Sequence, residues 1–345
     1  MQRKRWLTCV EALISVLVVG GLFWGSFFVT PEVQVGEVER FAFERRDSFY
    51  AVVALDDAGQ SVCMAGSYGK VIRSDDGGVT WAIQKTPVTT HLQGLAAWDK
   101  DTLVAVGDKN TVVMTRDAGR NWKKIEAPVY PLGGQLLDVN VDAASGRAWI
   151  TGSMGTVLVS ADRGETWSMA HPEEDLSWNA STVAPDGSLW AVGEFGRVKR
   201  SRDHGQSWQT VAMPVEVSLN DVAFADALHG VIVGLSGTVL VTADGGGKWT
   251  PVAAGTQAHL YTVLSSDQAY HAIGDAGVIV TADAAGQTWT AGKLSPNNYA
   301  WYTGISRAGK AYYIAGAGAG VYEAGKWLPF EPSQKVYKKR GADNG

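Results

Sequence analysis

A sixteen-residue pattern recurs along most of this chain and limits its possible folds more than any other feature. The pattern reads Gly-x-x-Gly-x-Val-x-x-Ser/Thr-x-Asp-x-Gly-x-x-Trp. A sixth copy has a turn one residue longer, and a seventh copy, at residues 316–327, lacks the Ser-x-Asp portion. The first five copies span residues 66–81, 107–122, 152–167, 193–208 and 234–249, and the sixth spans residues 274–289. Repetition at a fixed interval indicates a fold built from stacked, equivalent units.

A second set of positions repeats at the same interval. Each unit starts with an apolar residue and a strand-like run, and the starts lie 41–44 residues apart. These starts are Phe49, Leu92, Leu136, Trp178, Leu219, Leu260 and Trp301. In the third unit, four short strands are predicted at residues 136–141, 147–151, 156–160 and 166–170. Units of about 40–45 residues with four strands are typical of propeller blades.

The repeats therefore predict an all-β, seven-bladed propeller with four-stranded blades over residues 48–331. A single unit cannot bury both its faces, so the seven should fold as one domain. Residues 31–47 are predicted to be a linker or a closing strand, with the strand at residues 36–44. Residues 332–345 read as a basic tail, which could rest on anionic lipid.

The aspartates of the repeated turn look catalytic in number but are predicted to be structural. They recur in equivalent places, whereas an active site is made once. The carboxylate can accept backbone N–H bonds in a tight turn, and the tryptophan can wedge between blades. The predicted structural residues are Asp76, Asp117, Asp162, Asp203, Asp244 and Asp283, with Trp81, Trp122, Trp167, Trp208, Trp249 and Trp289.

The first thirty residues are predicted to be an uncleaved membrane anchor. Three basic residues, Arg3, Lys4 and Arg5, precede eighteen residues without a charge at 12–29. A membrane-spanning helix needs about 20 mostly apolar residues. A cleaved signal peptide is the competing interpretation, but phenylalanines stand where its cleavage site would need small residues. The basic tip should stay in the cytoplasm, which places the propeller outside it, and in a Gram-negative bacterium that means the periplasm.

Charge and residue spacing exclude several classes of function. The 345 residues carry a net charge of −5, which disfavours non-specific nucleic-acid binding. The six histidines fall at different points of their repeats and show no metal-ligand spacing. No metal, cofactor or catalytic residue is therefore predicted.

The repeats resemble the Asp-box (BNR) propellers, in particular the photosystem II assembly/stability factor family and its relatives in non-photosynthetic bacteria. Residues 152–167 and the run Leu219-Asn220-Asp221-Val222-Ala223-Phe224 with residues 229–234 carry this resemblance. It covers residues 48–330 and implies a non-enzymatic, extracytoplasmic chaperone or accessory factor. Relatives serve as scaffolds for different membrane complexes, and nothing in this chain indicates photosynthesis.

Asp-box turns also occur in sialidases and other glycosidases, which supplies the alternative function. The Arg-Ile-Pro segment of sialidases is missing, and Arg45-Arg46-Asp47 lacks its flanking pattern. The acidic run Glu173-Glu174-Asp175 is expected to be a solvated loop. Asp138 and Asp221 adjoin a predicted ring of tyrosines and amides that could bind sugar, but no acid and nucleophile pair is evident.

That ring is the first candidate for partner binding. Alignment of the first strands gathers seven residues at the propeller mouth, with ordinary channel packing as the alternative. The ring comprises Tyr50, Gln93, Leu137, Asn179, Asn220, Tyr261 and Tyr302. Tyr299 and Trp301 extend its aromatic part.

The second candidate is a basic strip in the fourth unit, which could dock an acidic partner. A solvated strand face is the alternative interpretation. The strip comprises Arg197, Lys199, Arg200 and Arg202. The long loops at residues 128–135 and 171–179 are natural contact sites beside these candidates.

Taken together, these features predict a membrane-anchored periplasmic scaffold that binds an integral membrane or envelope protein complex and assists its assembly or stability. By family analogy, an exporter of the RND type is a plausible client. The alternative is a glycan-binding or glycosidase-like propeller.

Overall fold

A computed structural model describes residues 41–132, 134–266 and 269–330. These residues form seven antiparallel sheets of four strands each, which we call blades 1–7 in chain order. In every blade the four strands are consecutive in sequence and lie in the order first, second, third, fourth. The predicted seven-bladed, all-β propeller is confirmed.

The strands have similar bounds in every blade. First strands are Phe49–Ala54 (β1), Leu92–Ala97 (β5), Leu136–Asp142 (β9), Trp178–Val183 (β13), Leu219–Phe224 (β17), Leu260–Ser266 (β21) and Tyr302–Ala308 (β25). Second strands are Val62–Gly66 (β2), Leu103–Gly107 (β6), Arg147–Gly152 (β10), Leu189–Gly193 (β14), Gly230–Gly234 (β18), Ala269–Gly274 (β22) and Ala311–Gly316 (β26).

The outer half of each blade is formed by its third and fourth strands. Third strands are Val71–Ser74 (β3), Thr111–Thr115 (β7), Val157–Ser160 (β11), Val198–Ser201 (β15), Thr238–Thr242 (β19), Val278–Asp283 (β23) and Ala319–Glu323 (β27). Fourth strands are Ala82–Gln84 (β4), Trp122–Lys124 (β8), Ser168–Met169 (β12), Gln209–Val211 (β16), Thr250–Ala253 (β20), Trp289–Lys293 (β24) and Lys326–Pro329 (β28). In blade 3 the four predicted strands match β9–β12 to within one or two residues at each end.

The core of the propeller lies between the blades. Second strands such as β6, β14 and β18 are buried along their whole length, so they carry continuous apolar runs instead of alternation. The buried apolar residues group into seven clusters, and each cluster joins two adjacent blades around the ring. Because no blade completes a core alone, the ring folds as one domain.

The ring closes where blade 7 meets blade 1. Phe43 and Phe330 stack with ring centroids 5.2 Å apart, and both rings pack against Trp81. The hydroxyl of Tyr313 lies 3.1 Å from the carbonyl oxygen of Gly59 in blade 1. Residues 41–48 form turns and no strand. The described part of the proposed closing segment therefore packs against blades 1 and 7 without adding a strand. Residues 36–40 of that segment lie outside the described residues.

Two further sequence predictions concern the chain ends. The anchor at residues 1–30 and the basic tail at residues 332–345 both lie outside the described residues. Within residues 41–330, apart from the three undescribed positions, no helix has the length and apolar character to cross a membrane.

Candidate functional site

The repeated Asp-box turn connects the third and fourth strands of a blade. In blade 1, the hydroxyl of Ser74 accepts a hydrogen bond from the N–H of Gly78, and Asp76 accepts from the N–H of Thr80, both at 2.8 Å. The same serine or threonine bond and aspartate bond recur in blades 2–5. The carboxylates are thus engaged in holding their own turns.

Asp283 in blade 6 departs from this geometry because it stands one position earlier in its repeat than the other turn aspartates, so the longer turn predicted for the sixth copy is wrong. Its carboxylate accepts from the N–H of Gly286 at 3.1 Å. The turn tryptophans are buried, apart from the half-buried Trp208, and some bind the preceding blade. The indole N–H of Trp122 donates to Gln84 at 3.0 Å, and that of Trp208 donates to the carbonyl of Ala170 at 2.9 Å. These residues hold turns and blade contacts on the face away from the propeller mouth.

The Gly-x-x-Gly part of the repeat forms the turn between the second and third strands. In blade 1 the N–H of Ser67 donates to the carbonyl of Ser48, directly before β1, at 2.8 Å. A Cβ on Gly66 would lie 2.0 Å from that same carbonyl oxygen. The turn therefore lies against the start of the first strand, at the mouth.

These turns, together with the loops that join the fourth strand of one blade to the first strand of the next, make up what we call the mouth face. The turns are residues 67–70, 108–110, 153–156, 194–197, 235–237, 275–277 and 317–318. The loops are residues 85–91, 125–135 (with residue 133 not described), 170–177, 212–218, 254–259 and 294–301.

At the centre of the mouth face the first strands surround a cavity of about 350 Å³. Six of the seven predicted ring residues line it, namely Tyr50, Gln93, Leu137, Asn179, Asn220 and Tyr261. Tyr302 does not, and its place in the ring was predicted wrongly. Tyr302 pairs with Gly316 as Leu260 pairs with Gly274, so it is the first residue of β25 and not the second. Its side chain is 3% exposed. The next residue, Thr303, lines the cavity.

Several ring residues bind the neighbouring blade. The side-chain amide of Asn179 donates to the carbonyl of Leu219, and that of Asn220 donates to the carbonyl of Leu260, both at 2.8 Å. Thr303 donates its hydroxyl to the carbonyl of Tyr50 at 2.9 Å, across the closure. Part of the predicted ring thus holds the blades together, while its other polar atoms line the cavity.

Two carboxylates also line this cavity. Asp138 accepts a bond from the N–H of Ser181 at 3.0 Å, and Asp221 accepts from the N–H of Val263 at 2.9 Å. Burial, with the neighbouring charge of Asp221, raises the pKa of Asp138 to about 7. Burial likewise raises the pKa of Asp221 to about 6, although its hydrogen bonds act in the opposite direction. The carboxylates therefore respond to any charge that enters the cavity.

A row of aromatic rings runs from the cavity across blades 7, 1 and 2. Trp301 stacks on Tyr50 with centroids 5.7 Å apart and planes at 10°. His91 lies edge-on to Tyr50, with ring centroids 5.9 Å apart, and its ring centroid is 5.1 Å from that of Tyr68. Tyr299 is 75% exposed and has the ammonium of Lys293 4.2 Å from its ring centre. Of the aromatic residues predicted at the mouth, Tyr50 and Trp301 stack on each other, whereas Tyr261 contacts His259 and Tyr302 contacts Trp327.

Tyr68 and His91 were not anticipated from the sequence, and neither was the exposed Phe195. Tyr68 and Phe195 occupy equivalent turn positions with φ of 56° and 55°. A bulky residue with positive φ is uncommon, so these two turns carry strain at an aromatic residue, whereas the other blades place non-aromatic residues there. The signal available beforehand was the third position of Gly-x-x-Gly, where blades 1 and 4 alone carry an aromatic residue.

The predicted basic strip of blade 4 is not one free positive surface. Arg197 binds Glu174 at 2.6 Å and lies over Trp178, and Lys199 contacts His171. Their neighbour Arg200 binds Asp186 at 2.6 Å. Arg202 is exposed. Because side chains alternate along β15, the strip is split between two faces of the sheet. Three of its four cations also contact a neighbouring side chain.

Exposed apolar side chains are concentrated on the mouth face. Of nine large apolar residues that are exposed in the described chain, three lie elsewhere, namely Val79, Leu228 and Leu328. The six on the mouth face are Tyr68, Val129, Leu132, Phe195, Val217 and Tyr299. Such a patch, with polar residues around it, marks an interaction site.

The enzyme alternative finds little support in this geometry. No arginine lines the central cavity as described, so the substrate-carboxylate clamp of a sialidase has no counterpart there. No group of three or more His, Cys, Asp or Glu side chains in the described residues could hold a metal ion.

Comparisons with known proteins agree with the resemblance predicted from the repeats. Residues 199–323 match the family model described as photosynthesis system II assembly factor YCF48. A search of curated proteins found no match. The family resemblance therefore rests on the C-terminal half of the propeller and on its fold.

Solved structures show the same fold at low identity. A structure described as YCF48 bound to D1 peptide is 16% identical, with 87% of this chain and 96% of that chain covered and a TM-score of 0.65. YCF48 from Cyanidioschyzon merolae is also 16% identical, covering 83% and 96%, with a TM-score of 0.63. An ancestral GH74 enzyme has a TM-score of 0.67 at 13% identity, covering 86% of this chain and 48% of that one.

Proposed function

We propose that this chain, whose propeller is similar to YCF48 structures, is a membrane-anchored scaffold that binds a membrane or envelope protein complex and assists its assembly or stability. The propeller lies outside the cytoplasm and carries out no chemistry of its own. One solved relative holds a D1 peptide, which supports a protein partner for this chain as well.

The observation that carries the proposal is the distribution of exposed apolar residues. Six of the nine exposed large apolar residues lie on the mouth face, where they have no role in the blade cores. Tyr68 and Phe195 are presented on turns with positive φ, which costs conformational energy. Aromatic side chains displayed in this way favour a protein partner, since they supply large contact areas at low entropic cost.

The anchor defines where the partner is found. Residues 12–29 are uncharged and long enough to cross a membrane, and the basic residues before them favour a cytoplasmic start. Tethering confines the propeller to the membrane surface and raises its effective concentration against a membrane partner. Among envelope complexes outside photosynthesis, an RND-type exporter is our first candidate client, by family analogy.

The proposal is tested by crosslinking full-length protein in membranes and identifying what co-purifies. Wild type is compared with a form lacking residues 1–30 and with a mouth variant that combines Tyr68→Ser, Phe195→Ser and Tyr299→Ser. We expect one integral membrane or envelope complex with wild type, and at least about tenfold less with the mouth variant, because hot-spot residues carry most of the binding energy.

A matched control removes the same kind of surface from elsewhere on the propeller. Val79→Ser, Leu228→Ser and Leu328→Ser change the three exposed apolar residues that are not on the mouth face. This variant should recover the complex as wild type does. Recovery of the chain alone under several solubilisation conditions would contradict the proposed function.

A further inference from the structure

We propose that the central cavity of the mouth face binds a lysine or arginine side chain, which the partner presents within an apolar segment. This inference rests on the proposed function, because it names the chemistry of the partner at that same face. It predicts what the mouth recognises, which the repeat pattern alone does not indicate.

The size of the cavity suits a single long side chain. Its volume of about 350 Å³ lies at the lower end of the range of about 300–1,000 Å³ for small-molecule pockets. Its wall is the ring of first strands, which neighbouring blades fix through the bonds of Asn179, Asn220 and Thr303. A preformed cavity of this kind loses little entropy when it is filled.

The charged groups that line the cavity are acceptors only. Asp138 and Asp221 contribute carboxylates, and one of the two amide N–H groups of Asn179 and of Asn220 is used on a neighbouring carbonyl. The amide oxygens of these asparagines remain as further acceptors. No lysine or arginine lines the cavity as described. Donor-only groups, such as ammonium and guanidinium, complement this lining.

Two buried hydroxyls near Asp138 have no hydrogen-bond partner among the described residues. Ser181, whose N–H donates to Asp138, is 3% exposed, and its Oγ has no hydrogen-bond partner among the described residues. Thr151 pairs with Asp138 across β9 and β10, is fully buried, and its Oγ1 is likewise unpartnered there. Buried polar atoms are normally satisfied, so these hydroxyls leave unused hydrogen-bonding capacity behind the cavity wall, although neither residue lines the cavity.

The aromatic rim adds a second mode of cation recognition. Tyr50 and Tyr261 line the cavity, and Trp301 stacks on Tyr50 at its edge. A cation within about 6 Å of such ring faces is attracted by their quadrupoles. The methylene stem of lysine or arginine can pack on the same rings while its head reaches the carboxylates.

The charge of the surrounding loops agrees with a basic partner. Lys70 and Arg197, two of the four cations of the described mouth loops, are bound to Asp47 and Glu174. The other two are Lys85 and Lys109. The carboxylates of these loops are twice as many, namely Asp108, Glu126, Glu173, Glu174, Asp175, Glu194, Glu216 and Asp275. A negative mouth steers a positive segment toward the cavity and disfavours acidic partners.

The first experiment tests the cavity without the partner. Saturation-transfer NMR on full-length protein in detergent uses n-butylammonium and n-propylguanidinium as side-chain probes, with neutral 1-butanol for comparison. We expect signal from both cations and at least about tenfold weaker signal in the variant Asp138→Asn/Asp221→Asn, since charge-assisted bonds are lost. Asparagine keeps a carbonyl acceptor for the bonds between blades.

The control variant Asp57→Asn/Asp101→Asn removes the same charge from two exposed loops on the opposite face. It should bind the cations as wild type does. Equal signal from butanol and butylammonium, or unchanged cation binding by a cavity variant whose melting temperature is no lower than that of wild type, would overturn the inference.

The second experiment uses the complex and separates the two proposals. A photocrosslinking amino acid at position 301 should attach to the partner within a few residues of a lysine or arginine. If a partner is recovered but its attachment sites lack nearby basic residues, the cavity proposal fails while the proposed function stands. If the cations bind but no complex is recovered, the proposed function fails and the cation site remains.

Discussion

Aspartate side chains are found in two opposite environments in this propeller. In the Asp-box turns, hydrogen bonds from Asn121 lower the pKa of Asp117 to about 2, and those from Ser207 and Ser201 do the same for the pKa of Asp203. In the central cavity, burial raises the pKa of Asp138 to about 7. The same residue type therefore stabilises a turn as a permanent anion in one place and changes charge near neutral pH in another.

The first prediction concerns the turn aspartates. Asp76→Ala should lower the free energy of unfolding by about 1–2 kcal/mol, as loss of a capping carboxylate does. The reason is that the N–H and hydroxyl of Thr80 lose their acceptor. Urea denaturation measures the change. Asp57→Ala, which removes an exposed carboxylate from a loop, should change stability by less than about 0.5 kcal/mol.

The second prediction concerns the cavity carboxylates. Because the folded pKa values of Asp138 and Asp221 exceed the unfolded value of about 3.9, the folded state binds more protons between about pH 4 and pH 7. Their contribution to stability is therefore greatest below about pH 4 and declines as the pH rises through about 6–7. Burial lowers the pKa of His171 and of His271, so the contribution of these two histidines to stability rises with pH instead.

Comparison with Asp138→Asn/Asp221→Asn isolates the carboxylates from those histidines. The variant stays neutral, so its melting temperature should exceed that of wild type by the largest margin at about pH 8. That margin should shrink steadily toward about pH 5 in differential scanning fluorimetry. Parallel curves over this range would show that the two carboxyl groups titrate normally.

At the scale of the strand and turn, the Gly-x-x-Gly turn is fixed by close backbone approach. Gly237 has a φ of 69°, and a Cβ there would lie 2.1 Å from the carbonyl oxygen of Thr256 in the loop that leads to the next blade. The turn thus sets the distance between its blade and that loop. The mouth face keeps its shape because this contact recurs, as at Gly69 and Gly196.

The third prediction separates this contact from backbone strain. Gly187 also has positive φ, at 81°, but a Cβ at this position would have no other atom within 4 Å. Gly187→Ala should lower the free energy of unfolding by about 1–2 kcal/mol, because alanine must adopt the left-handed conformation. Gly237→Ala should cost about 1–3 kcal/mol more, because backbone must shift to admit the methyl group. Equal losses in urea denaturation would rule out the steric explanation.

The same scale shows what could be predicted from the sequence. The strand period and the glycine turns predict all four strands of blade 3, because those signals are local. The error at Tyr302 arose because the alignment matched Trp301 to Trp178. Trp178 is the first residue of its strand, whereas Trp301 is not. A small residue two positions after the start was the better guide, since Gly304 in blade 7 matches Gly94 in blade 2.

The basic strip and the cavity show the limit of sequence patterns. The partners of Arg197 and Arg200 lie 23 and 14 residues away, in loops whose positions only the fold determines. Asp138 and Asp221 were placed beside the ring by alignment. Their coupling, and the unsatisfied hydroxyls near Asp138, depend on contacts between strands and blades that periodicity does not specify.

At the scale of the whole molecule, seven equivalent interfaces form a closed ring, but one of them differs in origin. Six are crossed by the continuous chain, whereas blades 7 and 1 meet through side chains, a backbone bond from the N–H of Gly309 to the carbonyl of Asp57, and the segment that precedes β1. Ala42 and Phe43 of that segment are buried in the shared core. Phe330 follows β28 and covers Phe43 from the other end of the propeller sequence. Within residues 41–330 as described, each sheet contains only its own four consecutive strands, and this pair packs across the closure.

The last prediction tests whether the pair acts as a unit. Phe43→Ala should lower the free energy of unfolding by about 3–5 kcal/mol, since a buried ring is lost. In a double-mutant cycle with Phe330→Ala, the two losses should overlap by about 0.5–1.5 kcal/mol, the coupling expected for stacked rings. Phe43→Ala with Phe224→Ala in blade 5 should be additive, because those residues share no contact cluster. Additivity in both cycles would mean that Phe43 and Phe330 do not act as a unit, and that backbone and polar contacts close the ring.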